Sequence, residues 1–124
     1  MKVLALDFGS ARTGVAVSDP TGTVARPLTT VERAATETGF ATLLAVISQE
    51  DPSVVVVGLP LTLRGAHGEQ ARETEAFVER LREACAVPVE TYDERFTSVL
   101  AGGDDARAAA HLLSSYLEWQ SSRR

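Results

Sequence analysis

Lys2-Val3-Leu4-Ala5-Leu6-Asp7-Phe8 is a short apolar run that ends in an acid, and Gly14-Val15-Ala16-Val17-Ser18-Asp19 is a second such run. Only the turn-rich Gly9-Ser10-Ala11-Arg12-Thr13 lies between them, so the two runs read as a β-hairpin. Residues 23–31, TVARPLTTV, give a third strand, and Pro27 within it marks an edge position because proline cannot donate to a ladder.

From the hairpin outward the pattern changes. Phe40, Leu43, Leu44 and Ile47 repeat at helical spacing within residues 33–50. Residues 53–59, SVVVVGL, show no polar alternation, as expected of a strand covered by helices on both faces. Residues 61–68 read as a loop. Ala71, Thr74, Phe77, Val78, Leu81 and Cys85 mark a second helix over residues 69–85. Residues 87–92, VPVETY, form a fifth strand, with Pro88 at its start or edge. A last helix over residues 104–119 turns Ala109, Leu112, Leu113, Tyr116 and Leu117 inward, and a polar tail from Gln120 to Arg124 is expected to fray. The order β-β-β-α-β-α-β-α places strand one centrally, with right-handed helical crossovers bringing strands four and five parallel to it. The expected fold class is α/β, a ribonuclease H-like five-stranded mixed sheet in the order 3-2-1-4-5 flanked by helices, with residues 1–124 forming one domain.

Composition sets outer bounds. The chain has 124 residues, 44% hydrophobic and 23% charged, a balance that excludes disorder as its main state. No apolar run approaches the ~20 residues of a membrane span. The N-terminus reaches Asp7 too early for a secretory signal. Cys85 is the only cysteine, so there is no intrachain disulfide and no cysteine zinc cage, and a reducing, cytoplasmic setting is expected. The net charge of −5 argues against a general polyanion coat but not against nucleic acid as substrate, because a metal-loaded acidic site binds phosphate locally. Basic residues are eleven arginines and one lysine, Lys2, a bias that the high alanine content explains by base composition before any function does.

Asp7 ends strand one, Glu94 follows strand five, and Asp105 opens the last helix on the side of its apolar face. In a sheet of this topology the C-terminal ends of strands one, four and five share one edge, where ligands of open α/β sheets bind. Asp104 lies off that face and suits a helix cap. Carboxylates gathered at one edge repel unless a cation joins them, and hard oxygen donors select Mg²⁺ or Mn²⁺. Two such ions ~4 Å apart activate water and stabilise the leaving oxygen of a phosphodiester. Residue by residue, a plainer assignment also stands: an Asp after a strand serves turns, and acids at a helix start answer the macrodipole.

Several motifs together resemble one family. Asp7-Phe8-Gly9-Ser10-Ala11-Arg12-Thr13-Gly14-Val15-Ala16-Val17-Ser18-Asp19 is similar to the opening of the YqgF/RuvX family. Ala25-Arg26-Pro27-Leu28, then Val56-Val57-Gly58-Leu59-Pro60-Leu61 with Gly65, continue the match. Asp93-Glu94-Arg95-Phe96-Thr97-Ser98 resembles its Asp-Glu-Arg box, and Asp105-Ala106-Arg107-Ala108-Ala109-Ala110 through Ser115-Tyr116-Leu117 its terminal helix. The family's members are proposed pre-16S rRNA nucleases and Holliday junction resolvase-like proteins. The resemblance implies a ribonuclease H fold, a catalytic and metal-binding triad of Asp7, Glu94 and Asp105, two Mg²⁺ or Mn²⁺ ions, and a nucleic-acid substrate, RNA ahead of DNA. It leaves monomer and homodimer both open. Two departures stand out. No acid ends strand four, where Gly58-Leu59-Pro60 stands, and only residues 95–104 separate the Asp-Glu-Arg box from Asp105, where the family has a longer, helical, basic segment.

Substrate-binding candidates are Gly9, Arg12, Arg64 and Arg95. Gly9 and Gly14 bracket the first turn, where backbone freedom with φ > 0 is the first expectation and close approach of a phosphate the second. Arg12 and Arg95 are placed to meet a phosphate; Arg95 could equally pair with Asp93 or Asp7. Arg64, with His67 and Arg72, follows strand four on the same sheet edge, where a solvated loop is the plain expectation. Asp-Phe-Gly-x-x-x-x-Gly also resembles the phosphate-binding hairpin of actin-like ATPases, but those enclose nucleotide between two such domains. A non-catalytic rRNA-binding module is a further alternative, and it gives no reason to keep three repelling acids.

Overall fold

In a computed structural model, which describes residues 1–60, 68–94 and 104–123, the elements are β1 (Val3–Asp7), β2 (Arg12–Ser18), β3 (Ala25–Glu32), α1 (Glu37–Glu50), β4 (Val54–Leu59), α2 (Glu69–Ala84), β5 (Val89–Asp93) and α3 (Asp105–Ser122). They build one five-stranded sheet in the order β3-β2-β1-β4-β5. β1–β2 and β2–β3 pair antiparallel, whereas β1–β4 and β4–β5 pair parallel. Both proline-marked strands lie at the sheet's edges, as expected. Among the described residues no helix is long and apolar enough to cross a membrane.

The apolar runs of β1 and β4 have no polar alternation because each strand feeds two cores. Leu4, Leu6, Val55 and Val57 pack with Phe40 and Leu43 of α1 and with Phe77, Val78 and Leu81 of α2. Val3, Ala5, Val54 and Val56 turn the other way, onto Ala109, Leu112, Leu113 and Tyr116 of α3. The period-two alternation of a strand then carries Asp7, Gly14 and Gly58 to the α3 face, in line with Ala5, Ala16 and Val56.

Element ends differ from expectation where local chemistry intervenes. α1 begins at Glu37, not at residue 33: Thr36 is its N-cap and its hydroxyl accepts the Gly39 N–H at 3.2 Å. Arg33, just upstream, has φ 47°, which no helix accommodates. β2 begins at Arg12, so the hairpin turn is shorter than the sequence suggests. α3 runs on to Ser122 where fraying was expected. There Gln120 donates to the Tyr116 hydroxyl at 2.5 Å, and the Arg123 guanidinium lies 4.4 Å from the Trp119 ring centre.

The start of α3 touches the sheet at Gly14. A Cβ there would strike the backbone carbonyl of Asp105, so only glycine lets the helix come this near. Gly14 is in register with Asp7, so the contact sets the first turn of α3 beside the end of β1. Gly14→Ala is expected to cost about 1–3 kcal/mol in urea unfolding, the usual penalty of overpacking. Gly68→Ser, at an N-cap with nothing within 4 Å of an added carbon, should change stability by no more than a few tenths of a kcal/mol.

Candidate active site

Asp7 is the last residue of β1 and sits half-buried on the α3 face. Its carboxyl is pushed above the usual carboxylate range, first by burial and then by the negative charge of Asp105. Glu94 follows β5 directly, and its N–H reaches the Leu59 carbonyl at 3.3 Å, extending the β4–β5 ladder by one bond. Burial above all, then the charges of Asp7 and Asp93, push Glu94 up to about 7. Asp105 is the first residue of α3. Charges from β1, β5 and α3 therefore act on one another at a single sheet edge, with Asp7 in the middle.

A Cβ on Gly58 would collide with the Glu94 carboxylate. Gly58 is thus the hollow into which Glu94 leans. Leu6 is in register with Val57, so the next residues, Asp7 and Gly58, lie at the same level on neighbouring strands. The missing acid at the end of strand four is accounted for: glycine clears that place, and the acid that follows β5 enters it. Gly14 does the same on the other side of Asp7 for the backbone of Asp105. The expectation of φ > 0 at Gly9 and Gly14 is not met; among the described glycines only Gly22 has a positive φ, of 73°. Both are needed for close approach, and what approaches is protein backbone, Arg12's carbonyl at Gly9 and Asp105's at Gly14. Sequence reasoning missed Gly58 and Gly14 as site residues. The available signal was that each falls on the α3-facing phase of its strand, level with Asp7.

The two adjacent acids of α3 have different partners. Asp104 is exposed, and its carboxylate accepts the Arg107 N–H at 3.1 Å as the N-cap, with the Arg107 guanidinium 3.9 Å away. Asp105 instead receives Arg12, Nε to Oδ2 at 3.0 Å. Arg12, expected to meet phosphate, is thereby engaged with an acid of the site. Arg64 and Arg95, together with His67, lie outside the described residues. Arg72 is exposed on α2.

The donors suit a hard divalent cation. All are carboxylate oxygens, and no cationic group is seen pairing with Asp7 or Glu94 among the described residues. Both carboxyls are pushed above their usual range, by burial first and by neighbouring negative charge second. Asp105 is held toward Arg12, and among the described residues no three acids stand together closely enough to ligate one ion. Asp7 and Glu94 are the two acids of the edge with no ion pair among the described residues, and Asp105 is paired through Oδ2 with Arg12.

The raised Glu94 has a defined effect on stability. Because the folded protein holds this proton more tightly than the unfolded chain, the contribution favours folding below about pH 4.5 and is lost as pH rises through about 7. In EDTA, wild type is expected to lose on the order of 1–3 kcal/mol from this group between pH 4.5 and 8. Glu94→Gln should remove that slope and equal or exceed wild type at pH 8. Urea unfolding at both pH values checks this; a Gln variant with the wild-type slope would contradict it.

Comparison with known proteins agrees with the fold. The sequence profile of the RuvX family, described as Holliday junction resolvase, matches residues 1–104. A relative from Chloroflexus aurantiacus, named as a candidate pre-16S rRNA nuclease, is 46% identical over 99 residues, 80% of this chain and 65% of its own length. The chain thus spans slightly under two thirds of that relative. A relative of the same name from Oleidesulfovibrio alaskensis is 37% identical across 100% of this chain and 96% of its own, over 139 aligned positions. Since this chain has 124 residues, that alignment holds at least 15 positions with no counterpart here. Among solved structures, Thermus thermophilus RuvC in complex with a Holliday junction superposes with TM-score 0.63 at 18% identity, over 98% of this chain and 96% of RuvC. Fowlpox virus resolvase gives 0.62 at 13% identity, over 97% and 99%. These two likenesses concern the fold. From the sequence match over residues 1–104 and the identities above, the chain belongs to the RuvX family.

Proposed function

We propose that this protein is a divalent-metal-dependent nuclease that hydrolyses phosphodiester bonds in RNA and serves processing of the 16S rRNA precursor in the cytoplasm. The observation that carries it is the convergence of Asp7 and Glu94 at the open sheet edge, both made hard to ionise by burial and by neighbouring negative charge. That arrangement is costly to the fold, and a bound cation would offset the cost. The names borne by the relatives supply the substrate class.

Asp7 and Glu94 would hold Mg²⁺ or Mn²⁺, with Asp105 as third ligand, and two ions are the expected number. Bound there, the metal supplies Lewis-acid activation of water and stabilisation of the departing oxygen. The chain's own contribution is placement. Asp7 is fixed by the β1 ladder, Glu94 by its bond to Leu59 and the Gly58 hollow, and Asp105 by the seat of α3 on Gly14. With Glu94 near 7, loading of the site at neutral pH releases a proton, so metal affinity should rise with pH.

The resolvase description of the family and the likeness to RuvC favour a second substrate, the DNA four-way junction. Against it stand the net charge of −5 and the short connection between Glu94 and Asp105. A junction is large, and its grip needs phosphate contacts well beyond the scissile bond.

The test incubates purified protein with single-stranded RNA, duplex DNA and a four-way junction, with and without Mn²⁺. Metal-dependent cleavage of single-stranded RNA is expected, with modest, salt-sensitive affinity. Asp7→Asn should lower it by more than about a hundredfold while the protein still folds. Asp105→Asn should abolish turnover, whereas Asp104→Asn should mainly cost about 1 kcal/mol as the loss of a helix cap. Full activity in Asp7→Asn would end the nuclease proposal, and symmetric nicking of junctions with little action on RNA would select the second substrate.

A further inference from the structure

Arg12 and Asp105 form an ion pair at the edge of the candidate metal site, and three features of it are unusual for a buttress. It is made through Nε, at 3.0 Å, and no other partner of the Arg12 guanidinium is seen among the described residues. The Arg12 side chain is 56% exposed against 29% for Asp105, so the cation is the more open partner of the pair. Arg12 also starts β2 at the tip of the first hairpin, on the sheet edge that carries Asp7 and Glu94. A cation so placed pairs with the third acid of the candidate site, while among the described residues no ion pair is seen at Asp7 or Glu94.

We propose that Arg12 is an exchangeable counter-ion. In the metal-free protein it occupies Asp105; when a divalent cation enters, Asp105 turns to the metal and the freed guanidinium engages a backbone phosphate of the nucleic acid. The proposal rests on the metal-site assignment above. It makes Arg12 a competitor of the metal and a positioning residue for substrate, coupled through one carboxylate. The planar fork of arginine suits the exchange, because carboxylate and phosphate offer it the same pair of oxygens. Asp104 is engaged within α3 instead, by the Arg107 N–H and the Arg107 side chain.

The coupling has a sign that separates it from a buttress. If Arg12 only steadied Asp105, its removal would weaken metal binding. As a competing cation, its removal should strengthen it. The experiment is a Mn²⁺ titration followed by electron paramagnetic resonance, without nucleic acid, on wild type and five variants: Arg12→Gln, Arg12→Lys, Asp105→Asn, the double variant Arg12→Gln/Asp105→Asn, and Asp7→Asn. Arg12→Gln is expected to bind Mn²⁺ roughly three- to tenfold tighter than wild type, the range for relieving one unit charge beside a divalent ion at a screened edge. Arg12→Lys, which keeps the charge, should stay within about twofold of wild type. In the Asp105→Asn background the Gln substitution should have no further effect, because the coupling runs through that carboxylate. Binding of a single-stranded oligonucleotide to the Mn²⁺-loaded protein should weaken in Arg12→Gln, although its metal is held more tightly.

Unchanged or weaker Mn²⁺ binding in Arg12→Gln would overturn the exchange. So would a tightening that persists without Asp105, which would make Arg12 a general surface charge. The metal-site assignment fails separately, and takes the exchange with it, if wild type binds no Mn²⁺ or if Asp7→Asn binds it as well as wild type does. Arg12 is exposed, so Gln and Lys are expected to fold, and melting in EDTA verifies it.

Discussion

The site depends on a row of three positions across the sheet, Gly14 on β2, Asp7 on β1 and Gly58 beside it on β4, of which only the middle one carries a side chain on the α3 face. A sheet packed under a helix normally fills such a row with methyl groups, as Ala16, Ala5 and Val56 do one step deeper. Here both flanks of Asp7 are bare. The helix backbone at Asp105 occupies one flank and the Glu94 carboxylate the other. Acids remote in sequence are thereby brought around a central one by steric permission, without any bond among them.

The electrostatic consequence is a cluster that the fold tolerates and does not relieve. Asp7 and Glu94 each resist ionisation, and burial is the first cause for both. The two cores above and below β1 and β4 hold these strands in place regardless of charge at their ends. Among the described residues Arg12 pairs with Asp105 alone of the three, and does so from a side chain open to solvent.

Much of this was legible in the residues. The unbroken Val54–Val57 run announced a strand buried on both faces, Pro27 and Pro88 announced edges, and the strand order followed from the crossovers. The helical spacing of Ala109, Leu112, Leu113 and Tyr116 separated the inward side of α3 from Asp104, which is its cap. What was not legible concerns approach between distant backbones. Gly14 read as a turn glycine and Gly58 as an ordinary residue of strand four because nothing local says that a helix start or a glutamate just past another strand will rest on them. Arg12 read as a phosphate contact for the same reason: its partner lies 93 positions away. The extension of α3 to Ser122 was hidden because its supports, Gln120 on Tyr116 and Arg123 on Trp119, are polar residues that composition assigns to a tail.

The most direct test of the central claim is a crystal structure of the protein soaked in Mn²⁺, with the ion located by its anomalous scattering. The expected result is a Mn²⁺ peak ligated by Asp7 and Glu94 on the α3 face above Gly58, with Asp105 turned away from Arg12. A protein saturated with Mn²⁺ whose peaks lie elsewhere, with Asp7 and Glu94 unligated and Asp105 still on Arg12, would contradict it.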